Sequence, residues 1–260
     1  MPHPNKDSKM KITKIPFLFE FLLCVGFLVI VRASYYWMRF VDYTYGVYIF
    51  GIIIHAFVFY VIITIGLKIQ KRTLASVIIF KKVNFKIWLA MFVCSIGFVL
   101  YMFYLHDLFA SFRWGWNTDF DSIYDRYNLD KFDLFLSIID SALIPAVCEE
   151  IMHKGLLYSS LRKRYSKIVA VIISSILFAA LHLTELYFIP KLIFSLFTFW
   201  VYFKTGSLIF PIMIHFINNF FVDIITWRIL GDIGVFYASV ILFLLGVYFL
   251  HKVSAKEKSG

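Results

Sequence analysis

Charge is scarce in this chain. Only 16% of its 260 residues are Asp, Glu, Lys or Arg, against about 25% in soluble domains. Cysteine is nearly absent. Cys24, Cys94 and Cys148 each lie inside an apolar run, and an odd number so placed supports neither a disulfide framework nor a cysteine metal site. The sequence contains no G-x-S-x-G, which excludes a serine nucleophile on a strand–helix elbow, and Cys148 has no evident activating partner. It contains no H-E-x-x-H either, which excludes the commonest zinc-peptidase helix. Internal repeats and low-complexity linkers are missing. The first apolar run lacks a small-residue cleavage site and is followed by Arg32 and aromatics, so it is expected to be a retained span rather than a leader.

Apolar residues fill the gap. They make up 61% of the chain, with 20% aromatic and 31 Phe, and the mean hydropathy is +0.81. A soluble domain of this size has no interior large enough for that surplus, whereas lipid tails accept it on the outside. Runs near the roughly 20 residues needed to cross a bilayer fall at 16–31, 45–67, 88–105, 136–161, 168–183, 189–203, 207–225 and 235–250. The expected fold class is therefore an all-α polytopic membrane bundle of about eight transmembrane helices.

Lysine and arginine alternate across these spans. Eighteen lie in the N-terminal tail, the even-numbered loops and the C-terminal tail, and six on the opposite side. The basic side is assigned to the cytoplasm, which places both termini there. The net charge of +10 is thus a topology signal, and no aromatic-interleaved basic patch points to nucleic acid. The outer segment 106–135 carries Trp114, Trp116 and six aspartates. It reads as a solvated loop with an aromatic anchor, or as an interfacial helix that gates a substrate.

Ionisable groups inside a span are costly and mark function by default. Three clusters stand out: Glu149-Glu150-x-x-x-Lys154, Phe178-x-x-x-His182 and His215-x-x-x-Asn219. Glu150 and Lys154 share a helix face and can pair, which turns Glu149, about 100° away, toward a different task. Counted from the nearest cytoplasmic basic residue, Glu149, His182, His215 and Asn219 all lie roughly 16–23 Å into the membrane. Three helices thus bring polar groups to one level. A carboxylate and a histidine can activate water, and a second histidine with an amide can stabilise an oxyanion. Glu149, His182 and His215 are equally a three-ligand zinc set with an open position, and the residues alone do not choose between no cofactor and Zn. Glu150-x-x-His153 echoes half of a di-iron site, without the other half. His55, Glu20 and Lys191 are read as polar contacts between helices.

The three clusters, in this order on successive spans, resemble the CPBP family of intramembrane proteases, the CAAX-processing and bacteriocin-processing group also called Abi. The stretch 204–215 is similar to that family's approach to its last motif, and the resemblance covers 140–221. It implies an intramembrane endopeptidase acting on a membrane-associated or lipidated peptide or protein. Glu149 and His182 would activate water, His215 and Asn219 would stabilise the oxyanion, and Glu150 with Lys154 would support the site. The family has been described both as metal-dependent and as glutamate-dependent, so Glu149, His182 and His215 stay candidate metal ligands. Lys154 stands where the family has arginine, and some relatives act as scaffolds, which keeps a non-catalytic regulator open. A secondary transporter ranks third, because Pro145, Pro190 and Pro211 form no symmetric pair. The expected layout is N-terminal helices and an outer loop over 1–131, a catalytic helical core over 132–251 and a cytoplasmic tail over 252–260, in a bacterial plasma membrane.

Overall fold

The computed structural model describes residues 26, 45–78, 84–114, 131–182, 185–224 and 233–259. The predicted first span, 16–31, lies outside them except for Gly26, as does segment 115–130 of the predicted outer loop. All regular structure among the described residues is helical. In chain order it comprises α1 (Tyr45–Gln70), the short α2 (Leu74–Val77) and α3 (Phe85–Trp114). A composite helix follows, built from α4 (Lys131–Ser137), π1 (Ile138–Leu143), α5 (Ile144–Glu150), π2 (Ile151–Tyr158) and α6 (Ser159–Leu161). The last four are α7 (Lys167–Ala180), α8 (Glu185–Thr205), α9 (Ile209–Ile224) and α10 (Ile233–Ser259). Each predicted span from 45 onward has a helix. The helix of the third predicted span runs on to Trp114, past its expected end at 105.

Among the described residues, three helices are long and apolar enough to cross a membrane: Ile49–Gln70, Phe85–Leu105 and Gly234–Lys252. Lys167–Ala180 and Ile209–Phe221 are apolar but shorter. The outward faces match this character. Phe57 is 64% exposed, Tyr60 67% and Leu244 58%, a pattern that water disfavours and lipid tolerates.

α1 is apolar on nearly every side, and its imidazole at His55 is followed by no Lys, Arg, Asp or Glu until Lys68 in the last turn. It ends in a left-handed turn. Lys71 has φ 53°, Lys71 N donates to Lys68 O at 3.1 Å and Arg72 N to Leu67 O at 2.9 Å. This is the Schellman pattern, normally built on glycine, and it throws Arg72 back toward the composite helix. α1 and the composite helix lie side by side in the same direction, since His55 meets Asp140 and Gln70 meets Leu156 and Ser160.

Glycines set the closest approach between α3 and α10. A Cβ on Gly97 would lie 2.4 Å from Phe243 N, and one on Gly246 would lie 2.4 Å from Cys94 N. Small residues let two backbones touch where lipid supplies no hydrophobic drive between helices. The main core then spreads from α3 through Phe178, Phe194, Phe197, Phe210 and Ile214, with Phe98 stacked on Phe197 at 3.8 Å. Buried hydroxyls add polar ties: Ser195 Oγ donates to Ser175 Oγ at 3.0 Å between α8 and α7, and Ser174 Oγ to His153 O at 3.2 Å between α7 and π2.

Candidate active site

The composite helix departs from α geometry on both sides of the two glutamates. Pro145 at the start of α5 has no N–H, so the carbonyl of Ser141, four residues earlier, loses its normal α-helical donor. Asn219 on α9 takes that place, donating from Nδ2 to Ser141 O at 3.3 Å. Its Oδ1 accepts from Asn218 Nδ2 at 3.2 Å. One turn away on the same face of α9 sits His215, 1% exposed.

His215 links the adjacent glutamates. Its Nδ1 lies 3.0 Å from Glu150 Oε1, and its Nε2 lies 3.9 Å from Glu149 Oε2. The two glutamates address opposite nitrogens of one imidazole. Their environments differ sharply. The Glu150 side chain is 1% accessible and the Glu149 side chain 19%, so Glu149 is the one open to an incoming molecule.

The second oxygen of Glu150 accepts from Lys154 Nζ at 2.5 Å, as the i,i+4 spacing predicts. Lys154 Nζ also donates to Thr198 Oγ1 at 3.0 Å and lies 4.5 Å above the Phe199 ring. A buried ammonium in an apolar bundle needs such company. The hydroxyl of Thr198 in turn donates to Phe194 O or Ser195 O, at 3.1 and 3.0 Å.

His182 is positioned by the way α7 ends. His182 N bonds Ala179 O at 3.2 Å, a tightening of the last turn that leaves Phe178 O without its i+4 amide donor. The His182 side chain supplies the replacement, with Nδ1 2.9 Å from Phe178 O. Since a carbonyl only accepts, Nδ1 carries the proton, and in the neutral ring Nε2 is then the lone-pair nitrogen. The Phe178 ring is the post around which three histidines gather. Ring centroids lie 4.9 Å away for His182, 5.1 Å for His153 and 5.9 Å for His215. Phe194 closes the other side of His215 at 5.1 Å, and Lys191 Nζ stands 5.9 Å from the Phe194 ring.

His153 enters the sequence analysis only through the di-iron spacing, and Asp140, Thr198 and Ser141 do not enter it as site residues. His153 is 4% exposed, with Nδ1 buried and without a hydrogen-bond partner. Asp140, 4% exposed, meets His55 Nδ1 at 2.6 Å. Asp140 lies within a predicted span, so the rule that flagged Glu149 would have found it too. Thr198 and Ser141 offered no comparable signal.

The donor types fit a zinc site. Glu149, His182 and His215 are suitable ligands, and the two imidazoles are held through Nδ1 in the way that orients metal-binding rings. Their placement fits less well: among the described residues no three His, Cys, Asp or Glu side chains come together closely enough to hold an ion.

Fold and site define a helical, membrane-type bundle with a carboxylate–histidine centre in its interior. Residues 131–221, from the first residue of α4 into α9, match the family described as type II CAAX prenyl endopeptidase Rce1-like, which bears out the CPBP and CAAX-protease resemblance carried by the three motifs. Comparison with curated proteins and with solved structures found no match. The family match implies a peptidase acting within a membrane. It covers the composite helix and α7 to α9, and leaves α1, α2, α3 and α10 outside.

Proposed function

We propose that this protein is an intramembrane endopeptidase that hydrolyses a peptide bond in a membrane-associated or lipidated peptide or protein. Glu149 accepts a proton from water, and the Nε2 lone pair of His182 helps orient that water. The water oxygen attacks the carbonyl carbon of the substrate. His215, oriented by Glu150 on Nδ1, presents Nε2 to the developing oxyanion. Asn219 offers the amide hydrogen not used on Ser141. When the C–N bond breaks, the proton held by Glu149 passes to the leaving amine. Glu150 and Lys154 act through His215 and do not touch the substrate.

The observation that carries this reading is the arrangement of two adjacent glutamates on opposite nitrogens of His215, one sealed and one accessible. The 3.9 Å between Glu149 and His215 Nε2 exceeds a direct hydrogen bond. Both groups can therefore address a reacting atom between them. The reading extends to eight spans with both termini cytoplasmic, a catalytic core over 132–251, and a bacterial plasma membrane. A metal-assisted version would use Glu149, His182 and His215 as ligands, with the ion supplying Lewis acidity, and no step above depends on it. A scaffold reading draws on the replacement of the family arginine by Lys154 and on the use of one Asn219 N–H within the fold.

The test is cleavage of lipidated and unlipidated peptides by the purified full-length protein in detergent, beside Glu149→Ala, each with and without a strong chelator. Removing a general base costs about 10²–10⁴-fold. Cleavage lost in Glu149→Ala but kept with chelator supports the metal-free route. Cleavage lost in both and restored by zinc supports the metal route. If folded wild-type protein cuts nothing, and Glu149→Ala complements a deletion strain, the peptidase reading falls.

A further inference from the structure

The family match begins at residue 131, yet the two glutamates are braced by side chains from well before it. α5, only 7 residues long, carries Glu149 and Glu150 between π1 and π2. A π turn widens the helix and disturbs its hydrogen-bond ladder, so the loosened polar groups need partners from elsewhere. α1 and the turn that follows it supply them at π2, while at π1 α9 meets the freed carbonyl and α1 holds the neighbouring side chain.

At π1 the group that α1 holds is the side chain of Asp140, through His55. His55 Nδ1 lies 2.6 Å from Asp140 Oδ1, and both residues are buried, at 2% and 4% exposed. Asp140 directly precedes Ser141, whose carbonyl holds Asn219. His55 is therefore one residue removed from the contact that positions a proposed oxyanion donor.

At π2 the partners are Gln70 and Arg72. Gln70 Nε2 donates to Leu156 O at 2.9 Å and to Ser160 Oγ at 3.1 Å. Arg72 Nη1 donates to Gly155 O at 3.0 Å and to Ser159 Oγ at 2.9 Å, while Nη2 is anchored on Ser76 O at 2.7 Å. Gly155 O also accepts from Ser159 Oγ. A Cβ on Gly155 would sit 2.2 Å from Val77 Cγ1, so only glycine lets α2 come this close. Between the two ends Phe59 and Ile62 of α1 pack on Met152, with Cys148 at the edge of the same cluster. From His55 to Gln70, α1 is about 22 Å of uninterrupted helix, a ruler laid along the segment that carries both glutamates.

We propose that α1 and its C-terminal turn position the active-site helix through its two π segments, and that the buried His55–Asp140 pair is a positioning dyad that places Asn219 and Glu149 for the reaction. The proposal rests on the peptidase reading for its kinetic consequence, but its structural consequence can be measured without activity.

The experiment compares wild-type full chain with His55→Asn, which keeps a donor near the Nδ1 position, and with the double variant His55→Leu/Asp140→Leu. The double variant removes the pair without leaving a buried carboxylate alone, which a single His55 substitution would do. All carry Cys24→Ser and Cys94→Ala, so that Cys148, beside Glu149, is the single thiol. Expected for the double variant are a maleimide labelling rate at Cys148 at least fivefold higher, a kcat at least tenfold lower, a KM within twofold of wild type and a thermal midpoint within a few degrees. His55→Asn should recover most of both changes. Unchanged labelling or unchanged kcat in a folded double variant of an active enzyme overturns the proposal. If no version of the protein cleaves peptide, yet labelling rises in the double variant and falls back in His55→Asn, the dyad stands and the peptidase reading is what has failed.

Discussion

Restoring the family arginine at position 154 should lower activity. The two oxygens of Glu150 are already divided: Oε2 takes Lys154 at 2.5 Å and Oε1 takes His215 at 3.0 Å. A lysine ammonium is a point charge that needs one carboxylate oxygen, and here it fills its remaining directions with Thr198 Oγ1 and the Phe199 ring. A guanidinium is a planar fork that favours both oxygens at once. In Lys154→Arg the fork competes with His215 for Oε1 in a pocket where both partners are 1% accessible. A hydrogen bond to a charged group contributes about 1.5–3 kcal/mol. If the loss falls on the transition state, kcat drops about 10- to 150-fold. Lys154→Met supplies the contrast. It leaves a buried carboxylate without its cation, which costs about 3–5 kcal/mol of stability, so it should show a lowered thermal midpoint as well as a lowered kcat. The assay is steady-state peptide cleavage in detergent alongside thermal unfolding of the same preparations. A Lys154→Arg enzyme as fast as wild type would refute the reasoning, because it would mean that Glu150 can serve the fork and His215 together.

Other consequences follow from single contacts. Asn219→Leu removes the donor from Ser141 O, and should cost about 1–3 kcal/mol in thermal or denaturant unfolding on top of its loss of cleavage; a purely catalytic Asn219 would leave unfolding unchanged. Gly155→Ala should destabilise by about 1–3 kcal/mol through the clash with Val77, and Val77→Ala in the same chain should restore most of the unfolding midpoint. Gly246→Ala drives a Cβ against the backbone of α3 at Cys94 as well as against that residue's Cβ. It should be at least as costly, and no single side-chain truncation on α3 should rescue it. Ser166→Ala removes the oxygen that accepts from Val169 N at the start of α7 and should cost about 0.5–2 kcal/mol, with kcat of the folded protein unchanged.

The sequence by itself determined a good deal. An apolar surplus this large has nowhere to go but a lipid-facing surface, so the helical class was legible from composition. Glu149, Glu150, His182, His215 and Asn219 could be picked out because ionisable and amide groups stand out against apolar runs. The Glu150–Lys154 pair was legible because four residues on a helix is a local distance. Pro145 was visible too, and it fixes which carbonyl must seek a new donor. What only the tertiary structure decided is where such local needs are met. That Ser141 O finds Asn219, that one imidazole stands between two neighbouring glutamates, and that Asp140 is matched by His55 are contacts across 65 to 85 residues of chain. No periodicity in a one-dimensional pattern encodes them. The π segments belong to the same class. Their carbonyls are met by groups from other helices, Leu156 O and Gly155 O by Gln70 and Arg72 and Ser141 O by Asn219, which the residues of the turns alone do not supply.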